Sequence, residues 1–564
     1  MCRRAIGVWL VIAFLLGDTA TASQFAFQIT FTDKNNSPYS FSSPLVYLSA
    51  RSLARRSTQG IALDSTDLPV NPAYVDSVIT LTGGVFHETS RWLNMCMILL
   101  SDSSQILNLA GKPFISNIKL VGYYATNLHR SSNTTGTTAS NTTAKKTTSG
   151  DATFYGNTWP QTQLVNGNYL HDNGYKGQGM LIAVLDAGYI GTNILPGFDS
   201  MWFSNRVVDM YNFTFHESDV FFQDNHGTEI LSTMAGYVPD TFVGSAPMAM
   251  YALYVSEYDV NPLDDEPLEL DNMISAAERA DSLGADVITE SLGYDLFTYP
   301  PGSGMVFATD LDGKTTVGAK AANMATKKGM LFVATAGNDG SPIAGWGNHI
   351  LTPGDADSAL TIGSVDVTGT SSSFSGYGPN AAGQVKPDVC GMGEGAYTFN
   401  SGGGYAQPPG TSISTPQIAG WAACLWQANP TATSYQIRQA IIKCASHYTS
   451  PGVQIGYGVP NFQCTEQVLN INDTPSPFSK AIWVVPSPNP FYDELKLFVS
   501  PNGDQKVDFT MFDMTGKKVY AFEKFLYKGF NFPMTLPTQN LPAGIYILKA
   551  VSPTQQQTLK VEKR

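Results

Sequence analysis

Five consecutive apolar residues, Leu181-Ile182-Ala183-Val184-Leu185, run directly into a carboxylate, Asp186. A segment that is apolar at every position, with β-branched members, has no polar face to offer water, so it reads as a strand buried on both sides. Strands of that kind belong to parallel sheets covered by helices, and such folds place their functional groups at the carboxyl ends of the strands. A second run, Met330-Leu331-Phe332-Val333-Ala334-Thr335-Ala336, leads into Gly337-Asn338 in the same manner. The expected fold class is therefore α/β, a mostly parallel sheet flanked by helices, with reactive side chains at the strand ends.

Two further segments supply reactive groups. Gly410-Thr411-Ser412-Ile413-Ser414-Thr415-Pro416 places a serine after a glycine turn, just ahead of a helix predicted over residues 414–427 with Pro416 in its first turn. A helix N-terminus favours negative charge developing beside the nucleophile. A serine hydroxyl attacks poorly unless an imidazole takes its proton, and the imidazole needs a carboxylate to hold its tautomer. His226, in Asn225-His226-Gly227-Thr228, precedes a small-residue, apolar-spaced segment that reads as a buried helix beginning at the histidine, so its ring projects from the first turn. Asp186, His226 and Ser412 supply orienter, base and nucleophile. Asn338 and the backbone N–H of Ser412 supply two donors for an oxyanion. Any one of these residues alone is a common cap or turn residue; their joint order and context make the catalytic reading the stronger one.

Taken together, Val184-Leu185-Asp186-Ala187-Gly188, Asn225-His226-Gly227-Thr228, Ser291-Leu292-Gly293, Ala336-Gly337-Asn338, Lys386-Pro387-Asp388-Val389 and Gly410-Thr411-Ser412 resemble, in order, the motifs of the subtilisin-like serine proteases, the subtilases. The resemblance covers residues 155–470. It implies that Asp186, His226 and Ser412 are the triad and Asn338 the oxyanion donor. It also implies that Ser291, Leu292 and Gly293 bind an extended peptide by β-addition beside the primary specificity pocket. Lys386-Pro387-Asp388 reads as structural. Two departures from the commoner pattern stand out: Glu290 precedes Ser291 where small or amide residues are frequent, and Cys390 follows Val389 where Ala or Met is usual. Trp346 and Leu351-Thr352-Pro353-Gly354 are candidates to shape the pocket, with side-chain directions open.

The flanks read as separate units. Residues 1–22 have Arg3-Arg4, an apolar stretch too short to span a bilayer, and Ala20-Thr21-Ala22, the pattern of a secretory signal. Residues 23–124 alternate strand and helix patterns in the order β-α-β-β-α-β, the ferredoxin-like α+β arrangement. Leu48-Ser49-Ala50-Arg51 and Asp67-Leu68-Pro69-Val70 resemble subtilase propeptides, which implies a folding chaperone and temporary inhibitor. Residues 125–150 form a Ser/Thr-rich linker that cannot bury a core, the natural place for a maturation cut after Arg130 or Lys146. Residues 151–470 are the expected catalytic domain, 471–485 a second linker, and 486–564 an all-β sandwich of short strands. Ser487-Pro488-Asn489-Pro490-Phe491, Thr515-Gly516-Lys517 and Leu541-Pro542-Ala543-Gly544-Ile545-Tyr546 resemble the C-terminal sorting domain of the type IX secretion system. That implies passage through the periplasm and outer membrane of a Gram-negative bacterium, with release or surface attachment.

Composition narrows the partners. A net charge of −13 gives nucleic acid no basic patch to bind, so the expected partners are protein or peptide substrates, the chain's own propeptide as inhibitor, and the secretion machinery. No C-x-x-C or His/Cys cluster points to zinc, and no cofactor is expected. The acidic Asp264-Asp265-Glu266 and the Pro/Gly/Asp-rich residues 298–316 read as cleft loops or calcium-binding turns, but an acidic run is more often a solvated face, so structural calcium stays unassigned. Cys444 and Cys464 flank a Gly-rich turn and are either a disulfide or two small buried residues. The expected function is a secreted serine endopeptidase made as an autoinhibited precursor. A peptide cyclase or ligase on the same scaffold and a catalytically silent adhesin are the rivals.

Overall fold

The computed structural model describes residues 23–125, 150–257, 267–294, 308–340, 350–471, 484–487, 489–499, 505–526, 531–553 and 556–564. The signal segment 1–22, the linker with Arg130 and Lys146, residues 258–266 and 295–307, Trp346 and most of the second linker lie outside them.

The N-terminal unit is a four-stranded antiparallel sheet of β1 (Ser23–Phe31), β2 (Val85–Ser90), β3 (Met95–Leu100) and β4 (Ile115–Ala125), in the order β2-β3-β1-β4. Central β3 is Met-Cys-Met-Ile-Leu-Leu and buried at every position, as a strand with neighbours on both edges and cover on both faces must be. Helix α1 (Ala50–Thr58) starts at Ser49, whose hydroxyl accepts from Ser52 N, and α2 (Pro72–Thr82) starts at Asn71 and stops at Gly83 in the left-handed region. The second helical element of the β-α-β-β-α-β order is a 3-10 stretch, Ser103–Leu109, followed by Gly111 and Pro113.

The central unit is a seven-stranded parallel sheet. Its strands are β5 (Leu181–Asp186), β6 (Val207–Asn212), β7 (Met250–Val255), β8 (Val287–Glu290), β9 (Leu331–Thr335), β10 (Leu360–Val365) and β11 (Val389–Met392), in the order β11-β10-β9-β8-β5-β7-β6. Alternate residues of β5, β7, β8 and β9 feed two cores. Ile182, Val184, Val287 and Val333 pack with Ile230 and Met234 of α3 (His226–Ala235), and Leu181, Ala183, Ile288 and Phe332 pack with Met273 and Ala277 of α4 (Pro267–Leu283) and Ala322 of α5 (Val317–Lys327). Strands covered on both faces are why the sequence shows unbroken apolar runs.

Helix α6 runs from Thr411 to Ala428, three residues earlier than the sequence suggested, so Pro416 sits inside it rather than in its first turn. A proline there leaves the carbonyl four residues back, that of Ser412, without its helical donor. Ser291 Oγ donates to that carbonyl at 3.0 Å. The gap in the helix ladder is thus closed by a side chain from the end of β8.

The N-terminal unit docks on α4 through both apolar and ionic contacts. Leu268 joins Ala26, Met97, Leu99 and Val121 in one buried cluster. Glu278 accepts from Ser90 Oγ at 2.5 Å, Arg91 N at 2.9 Å and Trp92 N at 3.0 Å. Asp281, fully buried, receives Arg55, Arg56 and Arg91. The C-terminal unit has a three-stranded and a four-stranded antiparallel sheet whose inner faces share one core, including Leu495, Leu497, Phe509 and Leu548. Cys444 and Cys464 form a disulfide, while Cys96, Cys390 and Cys424 are buried free thiols.

Candidate active site

The ends of β5 and β9 and the starts of α3 and α6 meet at one side of the parallel sheet. Asp186 ends β5 and is fully buried; its Oδ1 accepts from Ala187 N and from His226 Nδ1, both at 2.8 Å. Because Nδ1 donates, Nε2 is the nitrogen left to accept a proton. His226 begins α3, with its own N–H donating to Asp224 Oδ1 at 2.5 Å and its side chain 30% exposed. Burial alone lowers the His226 pKa, but the charge and hydrogen bond of Asp186, with the charges of Asp224 and Glu229, outweigh it and push the value up to about 9. Glu229, one turn into α3, is itself pushed up to about 7 by burial and by Asp224 and Asp186, against the pull of His226.

Ser412 is the second residue of α6, with 8% of its surface exposed. Gly410 must lack a side chain: a Cβ there falls 2.7 Å from Ser412 Oγ and 3.9 Å from Asn338 Nδ2. Ser412 Oγ and the Asn338 amide nitrogen thus both lie around the Gly410 α-carbon. The orientation of that amide is dictated by Thr411, whose backbone N–H and hydroxyl lie 2.8 and 2.9 Å from Asn338 Oδ1. An N–H needs an acceptor, so the oxygen faces Thr411 and Nδ2 is the donor end of the amide. Thr335 Oγ1, 2.6 Å from Thr411 Oγ1, ties the strand end to the helix start. Among the described residues, Ser412 Oγ and His226 Nε2 share no hydrogen bond within 3.5 Å.

The three residues expected to bind substrate divide. Ser291 spends its hydroxyl on the Ser412 carbonyl, a structural use that the sequence motif did not reveal. Leu292 and Gly293 lie past the last ladder pair, Glu290 with Leu185, and their backbone groups pair with no described residue. An extended peptide can therefore add to that edge. Lys386 and Asp388 form a buried cluster with Arg438, with Lys386 Nζ 3.0 Å and Arg438 Nη2 2.6 Å from Asp388, in keeping with the structural reading. Glu290 is fully buried on the face opposite Ser291, and burial, then the charge of Asp186, holds its carboxyl well above the usual range. Missed in the sequence were Asp224 and Glu229. Their place two before and three after His226 was legible, but their effect depends on where α3 starts. No group of three His, Cys, Asp or Glu among the described residues is arranged to hold a metal ion.

Comparison with known proteins places this geometry. The subtilase family model matches residues 177–459, a Bacteroidota peptidase S8 propeptide domain matches 26–139, and a secretion system C-terminal sorting domain matches 487–563. Subtilisin NAT of Bacillus subtilis subsp. natto is 30% identical over 302 residues, covering 53% of this chain and 68% of its own length. A thermophilic serine proteinase of Bacillus sp. (strain AK1) is 30% identical over 293 residues, 52% of this chain, and the match spans 62% of that relative's length. The epidermin leader peptide processing serine protease of Staphylococcus aureus shares the fold, with a TM-score of 0.53 at 17% identity over 80% of this chain and all of that one. The chain belongs to the subtilase family: it is a subtilisin-like serine endopeptidase with a Bacteroidota-type propeptide domain before the protease domain and a secretion sorting domain after it.

Proposed function

We propose that the chain is the latent precursor of a secreted endopeptidase that hydrolyses peptide bonds through Asp186, His226, Ser412 and an acyl-enzyme. The observation that supports this most is the 2.8 Å bond from His226 Nδ1 to buried Asp186, which leaves Nε2 as the base. His226 takes the Ser412 proton as Ser412 Oγ attacks the scissile carbonyl. The oxygen then carries negative charge, held by Asn338 Nδ2 and the Ser412 N–H at the positive end of α6. Asp186 stabilises the imidazolium, which protonates the departing amine. Water, deprotonated by the same Nε2, attacks the acyl-enzyme and frees Ser412.

The substrate lies along Leu292 and Gly293 as an added strand, so unfolded or flexible proteins and peptides are the class served. The N-terminal unit acts as the chain's own inhibitor through its contacts with α4, and a cut in the linker that follows it matures the enzyme. The sorting domain directs the protein through the periplasm and across the outer membrane to the exterior or the cell surface. No cofactor takes part in these steps.

The test is Ser412→Ala in the matured protein, read on a denatured protein substrate. Hydrolysis should fall to the level of enzyme-free buffer, and retained hydrolysis would sink the assignment. A fluorophosphonate probe should label Ser412 in the unaltered chain, which a silent adhesin would not allow. Mass spectra should show shortened products rather than the joined ones of a ligase.

A further inference from the structure

Resting on the reading just given, the slot that receives the residue on the acyl side of the cut peptide bond has an unusual floor. On that reading, with the scissile carbonyl carbon over Ser412 Oγ and its oxygen towards Asn338 Nδ2, that residue's α-carbon would enter between the segments that continue β8 and β9. One carries Ser291-Leu292-Gly293 and the other Gly337-Asn338. Both present a glycine, and the side chain of Leu351 lies against both. A Cβ on Gly293 falls 2.9 Å from Leu351 Cδ1 and 3.0 Å from its Cβ. A Cβ on Gly337 falls 2.6 Å from Leu351 Cγ and 2.8 Å from Cδ1. The isobutyl group is thus wedged into the space that the two bare α-carbons open, and it is only 8% exposed.

The wedge is also fixed in place. Leu351 N donates to Ala336 O at 3.3 Å, and Leu351 O accepts from Asp355 N at 3.1 Å. Thr352 next door exchanges two backbone hydrogen bonds with Tyr294, at 2.9 and 3.1 Å, which locks this segment to the residue after Gly293. Gly337 has φ +94°, a conformation side chains rarely adopt, so that wall cannot retreat behind a side chain of its own. A ring entering the slot has to displace a side chain held on both flanks and by its own backbone, and overpacking of that kind is disfavoured.

We propose that Leu351 is a specificity-determining residue that plugs the primary pocket, so that the enzyme cuts after small residues, glycine, alanine and serine, and excludes aromatic ones. The plug sets which peptide reaches Ser412; it takes no part in the proton transfers.

The test uses the full chain after maturation and a series of otherwise identical chromogenic peptides ending in Gly, Ala, Leu or Phe before the cleaved bond. In the unaltered enzyme kcat/KM for Ala should exceed that for Phe by at least about tenfold. Leu351→Ala should raise the Phe-to-Ala ratio by about 10- to 100-fold, the gain available from burying a ring in the vacated space. Leu351→Met, which refills it, should keep the original preference. An unaltered enzyme that prefers Phe or Leu would overturn the inference, as would a folded Leu351→Ala protein with an unchanged ratio. Should Leu351→Ala fail to mature, the profiles of the unaltered enzyme and of Leu351→Val decide the matter. Absence of turnover on the whole series, with Ser412 unlabelled by fluorophosphonate, would instead strike the catalytic reading beneath it.

Discussion

Asp281→Asn removes one charge from the most concentrated ionic contact between the propeptide and the protease domain. Asp281, in the last turn of α4, is fully buried and receives Arg55 on Oδ1, and Arg56 at 2.8 Å and Arg91 at 2.6 Å on Oδ2. Burial on its own raises the Asp281 pKa, yet the three guanidinium groups hold it below its ordinary value. All three arginines come from the propeptide. Arg56 keeps a second carboxylate, Asp67, at 2.8 Å, whereas Arg55 keeps, among the described residues, no other ion-pair partner and has the carbonyls of Ala285 and Lys328. Removing one member of a buried pair costs about 3–5 kcal/mol, because the remaining charge stays buried without its counterpart. The lower figure corresponds to roughly a 150-fold weaker complex. Once the linker is cut, the propeptide is held only by its non-covalent contacts with the protease domain, of which this cluster is one. The assay is therefore the activity of the processed enzyme on dilution: Asp281→Asn should lose inhibition at a concentration at least about 100-fold higher than the parent. Activity after complete removal of the propeptide should be unchanged, since Asp281 touches no residue of the candidate active site. A dilution profile identical to that of the parent would refute the claim that this charge cluster holds the two domains together.

Two pH effects follow from the same interface and site. Burial raises Asp271, bonded to Gln28, to about 7 and holds Glu88 well above the ordinary carboxylate range, with Asp271 and Glu278 adding to the rise at Glu88; Glu278 is raised too. These groups hold protons more tightly in the complex, so the stabilisation is full below the ordinary carboxylate value and is lost as pH rises. His87 and His216, 3.0 Å apart, have the opposite sign: burial lowers His87 to about 3 and lowers His216, so their contribution is full above the ordinary histidine value and lost on acidification. Propeptide release should therefore grow as pH rises from the ordinary carboxylate value towards 7, the figure for Asp271, by up to about tenfold per pH unit for each carboxyl still protonated, and Glu88→Gln should flatten that limb; a Glu88→Gln protein with the parent's pH dependence would contradict the assignment. In the site, hydrolysis needs neutral His226, whose value near 9 makes activity rise with pH towards that figure. Asp224→Asn keeps the acceptor for His226 N but removes a charge, so the acid limb of kcat/KM should move down by about one unit.

Much of the candidate site is readable because its residues sit at the ends of locally determined elements. An apolar run identifies a buried strand without reference to anything distant, and the residue that breaks the run marks its carboxyl end. Asp186 and Asn338 were found that way, and His226 and Ser412 through glycine turns that open helices. The start of α6 was misjudged because Pro416 looked like a first-turn residue. The hydrogen bond it denies Ser412 is made good by Ser291, 121 residues before Ser412, and no local pattern carries that information.

The chain order alone therefore determined the fold class and supplied the candidates for nucleophile, base and orienter, since each depends on periodicity or on a neighbour a few residues away. Tertiary structure decided how those groups are served. It turned the Asn338 amide through Thr411, put Ser291 to structural use, wedged Leu351 between Gly293 and Gly337, and gathered three propeptide arginines on Asp281. Each is a contact between segments tens to hundreds of residues apart. Its energy comes from close packing and from desolvated charge, quantities that exist only once the layers have closed.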